Sequence, residues 1–363
     1  MERYIEVDKN MLAEASVGNA EVVWCDIKEK PFVIHGSYTE QGVDFYHRMP
    51  MDVAARASDG VKTLARESSG IRVRFSTDSP YIAIRVKYVT FARSSHISLV
   101  ANAGFDMYVE TEFGPRFVKE FRMAPDMTGG YEQLVKLEGA YMRTYTVNFP
   151  IHAVVSSVEI GLKPGARLAD PTPYRSYAPV VFYGSSIVHG TAASRPGNIY
   201  PAIISRMLNI DFLDLGFSGM AKGEAVIAQW VRDLDMSVFV CDYDHNAPTV
   251  EHLAATHYPF YEIIREKNPD LPYIMVSTTD YWTRHNEWDK ILRCRDVIMQ
   301  SYLKARANGD KNVYFIDGMS FNATAHQYER TVDGVHPNDA GFIRMAEGIG
   351  TFIRHILEKK SNL

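Results

Sequence analysis

"APVVFYGSSIVHG", Ala178 to Gly190, decides the fold. Val180 to Tyr183 is apolar at every position, so both faces of the strand it would form face the interior. Gly184, Ser185 and Ser186 follow at once. A chain that leaves a buried strand and presents hydroxyls beside a glycine is making a tight turn at a sheet edge. In open parallel sheets, that carboxyl edge is where ligands bind. The same apolar grammar recurs at Phe212–Leu215, Val238–Asp242, Tyr273–Ser277 and Val313–Ile316. Helical segments intervene near Ile199–Leu208, Gly223–Leu234, Val250–Lys267 and Ile291–Ala307, and a last one spans Ala340–Leu357. This β-α-β-α order predicts a doubly wound, three-layer α/β/α unit with a five-stranded parallel sheet over residues 171–363.

The chain upstream reads differently. In "IRVRFSTDSPYIAIRVKY", Ile71, Val73 and Phe75 alternate with polar residues, and so do Ile82, Ile84 and Val86 beyond Asp78-Ser79-Pro80. Period-2 alternation on both sides of a turn predicts a hairpin with one wet face. "FDMYVET", "RTYTVNF" and "SSVEIGL" repeat the pattern, and helical periodicity is scarce between Pro31 and Leu162. Residues 1–170 are therefore expected to form an all-β sandwich of jelly-roll type. "PGARLADPTPYRSYAP", Pro164 to Pro179, reads as the linker.

Composition limits the function. With 39 Lys and Arg against 44 Asp and Glu, the net charge is −5 and no run of one sign is long. That argues against non-specific binding to nucleic acid or anionic membranes, which require basic patches. No apolar stretch is long enough to span a bilayer. Cys25, Cys241 and Cys294 are far apart and odd in number, as expected of reduced thiols. The first 26 residues carry no apolar leader core, which points to the cytoplasm, although a secreted mature form would read the same. A homo-oligomer is compatible with all of this.

The residues after each strand form a set. Gly184-Ser185-Ser186 follows the first, Gly216-Phe217-Ser218-Gly219 the second, and Tyr243-Asp244-His245-Asn246 the third. "DGVHPND", Asp333 to Asp339, precedes the last helix, with Asn338 as its expected cap. A serine hydroxyl needs a base, and a histidine base needs a carboxylate to fix its tautomer. Asp333 and His336, three residues apart, suit those two roles. Ser186 is the expected nucleophile. The Ser186 and Gly219 backbone N–H groups and the Asn246 amide are the expected oxyanion donors.

The chain resembles the SGNH (GDSL-type) hydrolases. "GSSI" is similar to the first block of that family, "DLGFSG" to the second, "DHNA" to the third and "DGVHP" to the last, all in family order. The upstream sandwich and "GSSIVHGTAASRPGNIYP" resemble a bacterial subgroup linked to deacylation of carbohydrates or small natural products. The resemblance implies a flavodoxin-like fold and a serine esterase needing no cofactor or metal. Its catalytic residues would be Ser186, Asp333 and His336, with the oxyanion held by Ser186, Gly219 and Asn246. A short acyl ester, such as acetyl, of a carbohydrate or related small molecule is the implied substrate. Ser185, Asp214 and Ala247 depart from the family blocks, at positions outside the triad and the oxyanion donors.

Each residue also has a plainer reading. Ser186 alone reads as a turn serine, Asn246 as an Asx-turn residue, Asp333 as a cap and His336 as a surface histidine. Ser218 also follows a strand and is a rival nucleophile, but Met220 breaks the G-x-S-x-G elbow. Asp242, Asp244 and His245 lack the spacing of a defined metal set and read as loop hydrogen-bonders. His189 and Arg195 could touch substrate or be solvated loop residues, and Trp282, His285 and Trp288 could wall the pocket, although plain packing is the favoured reading. Two other functions use the same residues: a catalytically dead carbohydrate-binding protein, and an acyltransferase that excludes water from the acyl-enzyme.

Overall fold

The computed structural model describes residues 16–175 and 177–361. Residues 1–15, to which the leader and compartment reading extends, lie outside them. In the first half the strands are β1 (Val23–Asp26), β2 (Val33–His35), β3 (Arg72–Thr77), β4 (Tyr81–Phe91), β5 (Phe105–Val109), β6 (Arg116–Phe121), β7 (Gly130–Lys136), β8 (Arg143–Asn148), β9 (Ala153–Leu162) and β10 (Leu168–Ala169). They make two antiparallel sheets, β1-β9-β4-β7 and β10-β3-β8-β5-β6, with β2 also paired to β3. The alternating residues Val73 and Phe75, Ile82 and Ile84, Val147 and Ile160 meet between the sheets as a single core. This is the jelly-roll-like sandwich that the alternation implied.

The expected hairpin is not one. β3 pairs with β8, β2 and β10, whereas β4 pairs with β7 and β9. Asp78-Ser79-Pro80 instead carries the chain from one sheet to the other. Nor is the polar face of β3 wet, for every residue of the strand is buried. Arg72 donates to the Tyr174 hydroxyl, to the Phe212 carbonyl and to Asp211, and Arg74 donates to Glu110 at 3.1 Å. Alternation shows that two faces differ; it does not show what covers the polar one. Tyr174 lies within the presumed linker and β10 is part of it, so that segment is a packed strap.

Among the described residues three short helices interrupt the first half: α1 (Met51–Ala57), α2 (Asp59–Leu64) and α3 (Leu99–Ala103). They are too short to show a helical period. The Ser58 hydroxyl caps α2 by accepting from Val61 N at 3.1 Å. Val53, Ala54 and Val61 on α1 and α2 are buried in the core of the second half, not in the sandwich.

The second half holds β11 (Val180–Gly184), β12 (Phe212–Gly216), β13 (Val238–Asp242), β14 (Tyr273–Val276) and β15 (Val313–Ile316). All are parallel, in the order β12-β11-β13-β14-β15. Successive residues face opposite layers. Val181 and Tyr183 pack with α6 (Ala225–Val231), α7 (Val250–Lys267) and α8 (Trp288–Ala307); Val180 and Phe182 pack with α5 (Tyr200–Leu208) and α9 (Asp339–Ser361). The short α4 (Ser186–His189) opens directly from β11. This order is the flavodoxin-like one, with its switch point between β11 and β13. Among the described residues no helix is long and apolar enough to cross a membrane.

Buried charges join the halves. Arg48, fully buried, donates to the carbonyls of Leu64, Glu67, Asp214 and Gly216 and to Asp214 Oδ1 at 3.2 Å. Arg195 donates to the fully buried Asp106 at 2.9 Å. Burial raises the Asp214 carboxyl to about 6; Arg48 and the Gly216 N–H pull it down without cancelling that.

Candidate active site

Gly184 and Gly216 lie side by side at the ends of β11 and β12. A Cβ on Gly184 would sit 2.0 Å from the Asp242 carbonyl oxygen. The chain can turn here only without a side chain. Ser185 then caps α4, its hydroxyl accepting from Ile187 N at 3.2 Å. Ser186 is thereby held as the first residue of α4, at the carboxyl edge of the sheet.

The Ser186 hydroxyl lies 2.9 Å from His336 Nε2, and His336 Nδ1 lies 2.7 Å from Asp333 Oδ2. Asp333 Oδ1 also accepts the backbone N–H groups of His336 at 2.8 Å and Val335 at 3.0 Å. Burial pushes the Asp333 carboxyl up, but the His336 hydrogen bond and these two N–H groups more than reverse it. The group is held below its usual range and stays ionised. It can therefore accept the Nδ1 proton, leaving the Nε2 lone pair for the serine. Thr283 donates to the Gly334 carbonyl at 2.6 Å and steadies the loop. Asn338 caps α9 as expected, accepting from Gly341 N at 3.2 Å.

Gly219 and Asn246 reach the same place. Both line an open cleft of about 490 Å³ with Ser186, Thr191, Ser218 and His336. Gly219 has φ +71° and nothing within 4 Å of a would-be Cβ, so its backbone angle calls for glycine, not a lack of space. The Asn246 amide gives one proton to the Phe217 carbonyl at 2.9 Å and has a second to offer. Ala92, His96, Ile97 and His152 of the sandwich half form a further wall, and His245, Arg284 and Val335 complete the lining.

The other candidate lining residues lie away from the cleft surface. His189 is fully buried beneath the cleft, and Arg195 is bound to Asp106 and Tyr108; neither is among the lining residues. Trp282 donates to the Met319 carbonyl, while Trp288 stacks on Tyr281 and against His285. None of these three aromatic residues lines the cleft. The departures from the family blocks lie behind the reacting groups. Ser185 is the α4 cap, Asp214 pairs with Arg48, and Ala247 is packed in the core.

Two clusters bring possible ligand atoms within 4.8 Å of one another: Asp242, Asp244 and His245, and Glu67, His152 and His189. In the first, His245 lies 3.3 Å from Asp244 and 3.1 Å from Asp280. Burial works against its charge, but Asp280 and Asp244 more than offset this and favour the protonated ring. In the second, Glu67 Oε2 is 2.9 Å from His152 Nδ1 and 3.1 Å from His189 Nε2. His189 Nδ1 is in turn 3.0 Å from the Ser218 hydroxyl. Ser218, His189 and Glu67 thus stand in a row like a second serine–histidine–carboxylate set, but His189 Nε2 makes no hydrogen bond to Glu67. Burial, with Arg48 nearby, drives His189 down to about 3, too weak a base to serve Ser218 as His336 serves Ser186. Glu67 and His152 were silent in the sequence because their partners are 85 to 122 positions away or belong to the other half.

Comparison with known proteins places this geometry. Residues 177–354 match the GDSL-like lipase/acylhydrolase family, and residues 22–168 match the N-terminus of SGNH hydrolase-type esterases. A putative GDSL-like lipase from Bacteroides ovatus is 28% identical, with a TM-score of 0.83 over 93% of this chain and 98% of its own. A salicylyl-acyltransferase from a tetracycline biosynthetic pathway is 23% identical, with a TM-score of 0.73 over 90% and 95%. An acetyl xylan esterase from the rumen bacterium Butyrivibrio proteoclasticus is 12% identical, with a TM-score of 0.57 over 93% and 99%. The latter two show a shared fold. No curated protein matches the chain.

Proposed function

The chain belongs to the GDSL-like lipase/acylhydrolase family of SGNH-type esterases, and from that premise we propose that it removes a short acyl group from a carbohydrate or related small-molecule ester through an acyl-enzyme. Ser186 attacks the acyl carbon while His336 takes its proton. Asp333 keeps His336 in the tautomer that can do so and stabilises the imidazolium. The oxyanion is held by the N–H groups of Ser186 and Gly219 and by the remaining Asn246 proton. His336 returns its proton to the leaving alcohol, then activates water to release the acid. The parallel half, from about residue 171, supplies this chemistry, and the sandwich half supplies the opposite wall.

The observation that carries the proposal is the continuous chain from Ser186 Oγ through His336 to Asp333, at 2.9 Å and 2.7 Å, opening on a cleft. The cleft size suits a small acyl group with one sugar-sized alcohol. The test is Ser186→Ala against p-nitrophenyl acetate and acetylated sugars. A fall in kcat of at least about a thousandfold is expected. Undiminished turnover refutes the assignment.

A further inference from the structure

Glu67, His152 and His189 play no part in the proposed acyl transfer, yet their ligand atoms lie within 4.8 Å of one another beneath the cleft. His189 is fully buried, and its Nε2 makes no hydrogen bond. Glu67 Oε2 stands 3.1 Å from that nitrogen but off the axis along which it bonds. The same oxygen is 2.9 Å from His152 Nδ1. Two ligands of one cation stand to each other in this way. With zinc about 2.0–2.2 Å from each ligand atom, neighbouring ligand atoms are about 3.0–3.4 Å apart, and each points at the metal rather than at the other. The outer ring nitrogens are also provided for. His189 Nδ1 lies 3.0 Å from the Ser218 hydroxyl and His152 Nε2 lies 3.2 Å from the Thr191 hydroxyl, and the two hydroxyls bond each other at 3.2 Å. Metal-bound imidazoles donate their second N–H to acceptors so placed.

We infer that Glu67 Oε2, His152 Nδ1 and His189 Nε2 form a divalent-cation site of the zinc class. Two imidazoles and one carboxylate are a zinc ligand set that leaves a position for water. Coordination itself sets both tautomers. Any proton on His152 Nδ1 passes to solvent, and each ring keeps its proton on the side of its hydroxyl. Glu67 and His152 are 17% and 9% exposed, and His152 lines the cleft, which gives a cation its way in. The charge of Arg48, which lies nearby, is balanced by Asp214. Glu67 and His152 belong to the sandwich half, whereas His189 ends α4, the helix that Ser186 begins. A bound cation therefore pins the helix of the nucleophile to the neighbouring half. The inference does not depend on the esterase reading, and its failure leaves that reading untouched.

The test uses tag-free, full-length protein stripped with a chelator and then given ZnCl2. One zinc per chain should remain after desalting, and zinc at a hundredfold excess over its Kd should raise Tm by about 3 °C. Glu67→Gln and His152→Gln should each weaken zinc binding by about a hundredfold or more. Melts of the metal-free variants establish that they fold, and if one does not, the other decides. X-ray absorption of the zinc-loaded wild type needs no variant and should show two imidazoles bound to zinc. No retained zinc, an unchanged Tm, or a zinc shell without two imidazoles overturns the inference. So does zinc held equally well by the folded variants, which marks an adventitious ion only.

Discussion

Replacing Arg48 by Met should weaken the whole molecule in a pH-dependent way. Arg48 and Asp214 are both fully buried, and the guanidinium also serves four backbone carbonyls. Removing it leaves a carboxylate and these acceptors without their donor. Breaking a buried pair from one side costs about 3–5 kcal/mol. At roughly 2.1 cal/mol/K per residue, unfolding 363 residues carries about 0.8 kcal/mol/K, so a 4 kcal/mol loss lowers Tm by about 5 °C. The sign with pH follows from Asp214, whose folded pKa of about 6 is above its unfolded value. Such a group favours the fold at low pH, and that contribution is lost as pH rises through the folded pKa. Without Arg48 to lower it, the deficit of Arg48→Met should be larger at pH 7.5 than at pH 5. Adding Asp214→Asn removes the stranded charge and should recover about half of the lost Tm. Calorimetry of the three proteins at both pH values is the assay. A Tm within 1 °C of wild type for Arg48→Met, or a deficit independent of pH and unrelieved by Asp214→Asn, refutes the reasoning.

Asp333→Asn keeps the loop but allows the wrong His336 tautomer, so kcat on p-nitrophenyl acetate should fall by about 10³–10⁴-fold with little change in KM; a loss under tenfold contradicts the role. Gly184→Ala forces a methyl to within 2.0 Å of the Asp242 carbonyl oxygen. It should give protein of clearly lower Tm and lost esterase activity, which a melting curve and a rate assay check together.

Legibility in the sequence followed how local each signal is. The parallel strands were readable because every residue from Val180 to Gly184 is buried, so an unbroken apolar run carries the full information. Val238–Asp242 and Val313–Ile316 appear with the bounds expected of them. Ser186, Asp333, His336, Gly219 and Asn246 could be named because each sits beside a strand or helix end; the structure brings four of them to one cleft and sets Asp333 behind His336. The polar face of β3 was misread because Arg72 is covered by Asp211 and Tyr174, more than a hundred positions away. Nothing local marks Glu67 as a partner of His189, since the pairing depends on how the two halves dock. The aromatic group around Trp282 and Trp288 reads first as packing and second as a pocket wall, and the structure agrees with the first, for those rings are occupied with one another and with backbone.

The docking of α1 and α2 into the neighbouring core bears on protein engineering. A gene cut near residue 170 would release a hydrolase fragment stripped of Val53, Ala54 and Val61 and left with Asp214 uncapped. Such a fragment should be insoluble, and grafting a foreign sandwich in front of it should not rescue it. The two halves share one folding unit, so changes of specificity are best engineered with both in place.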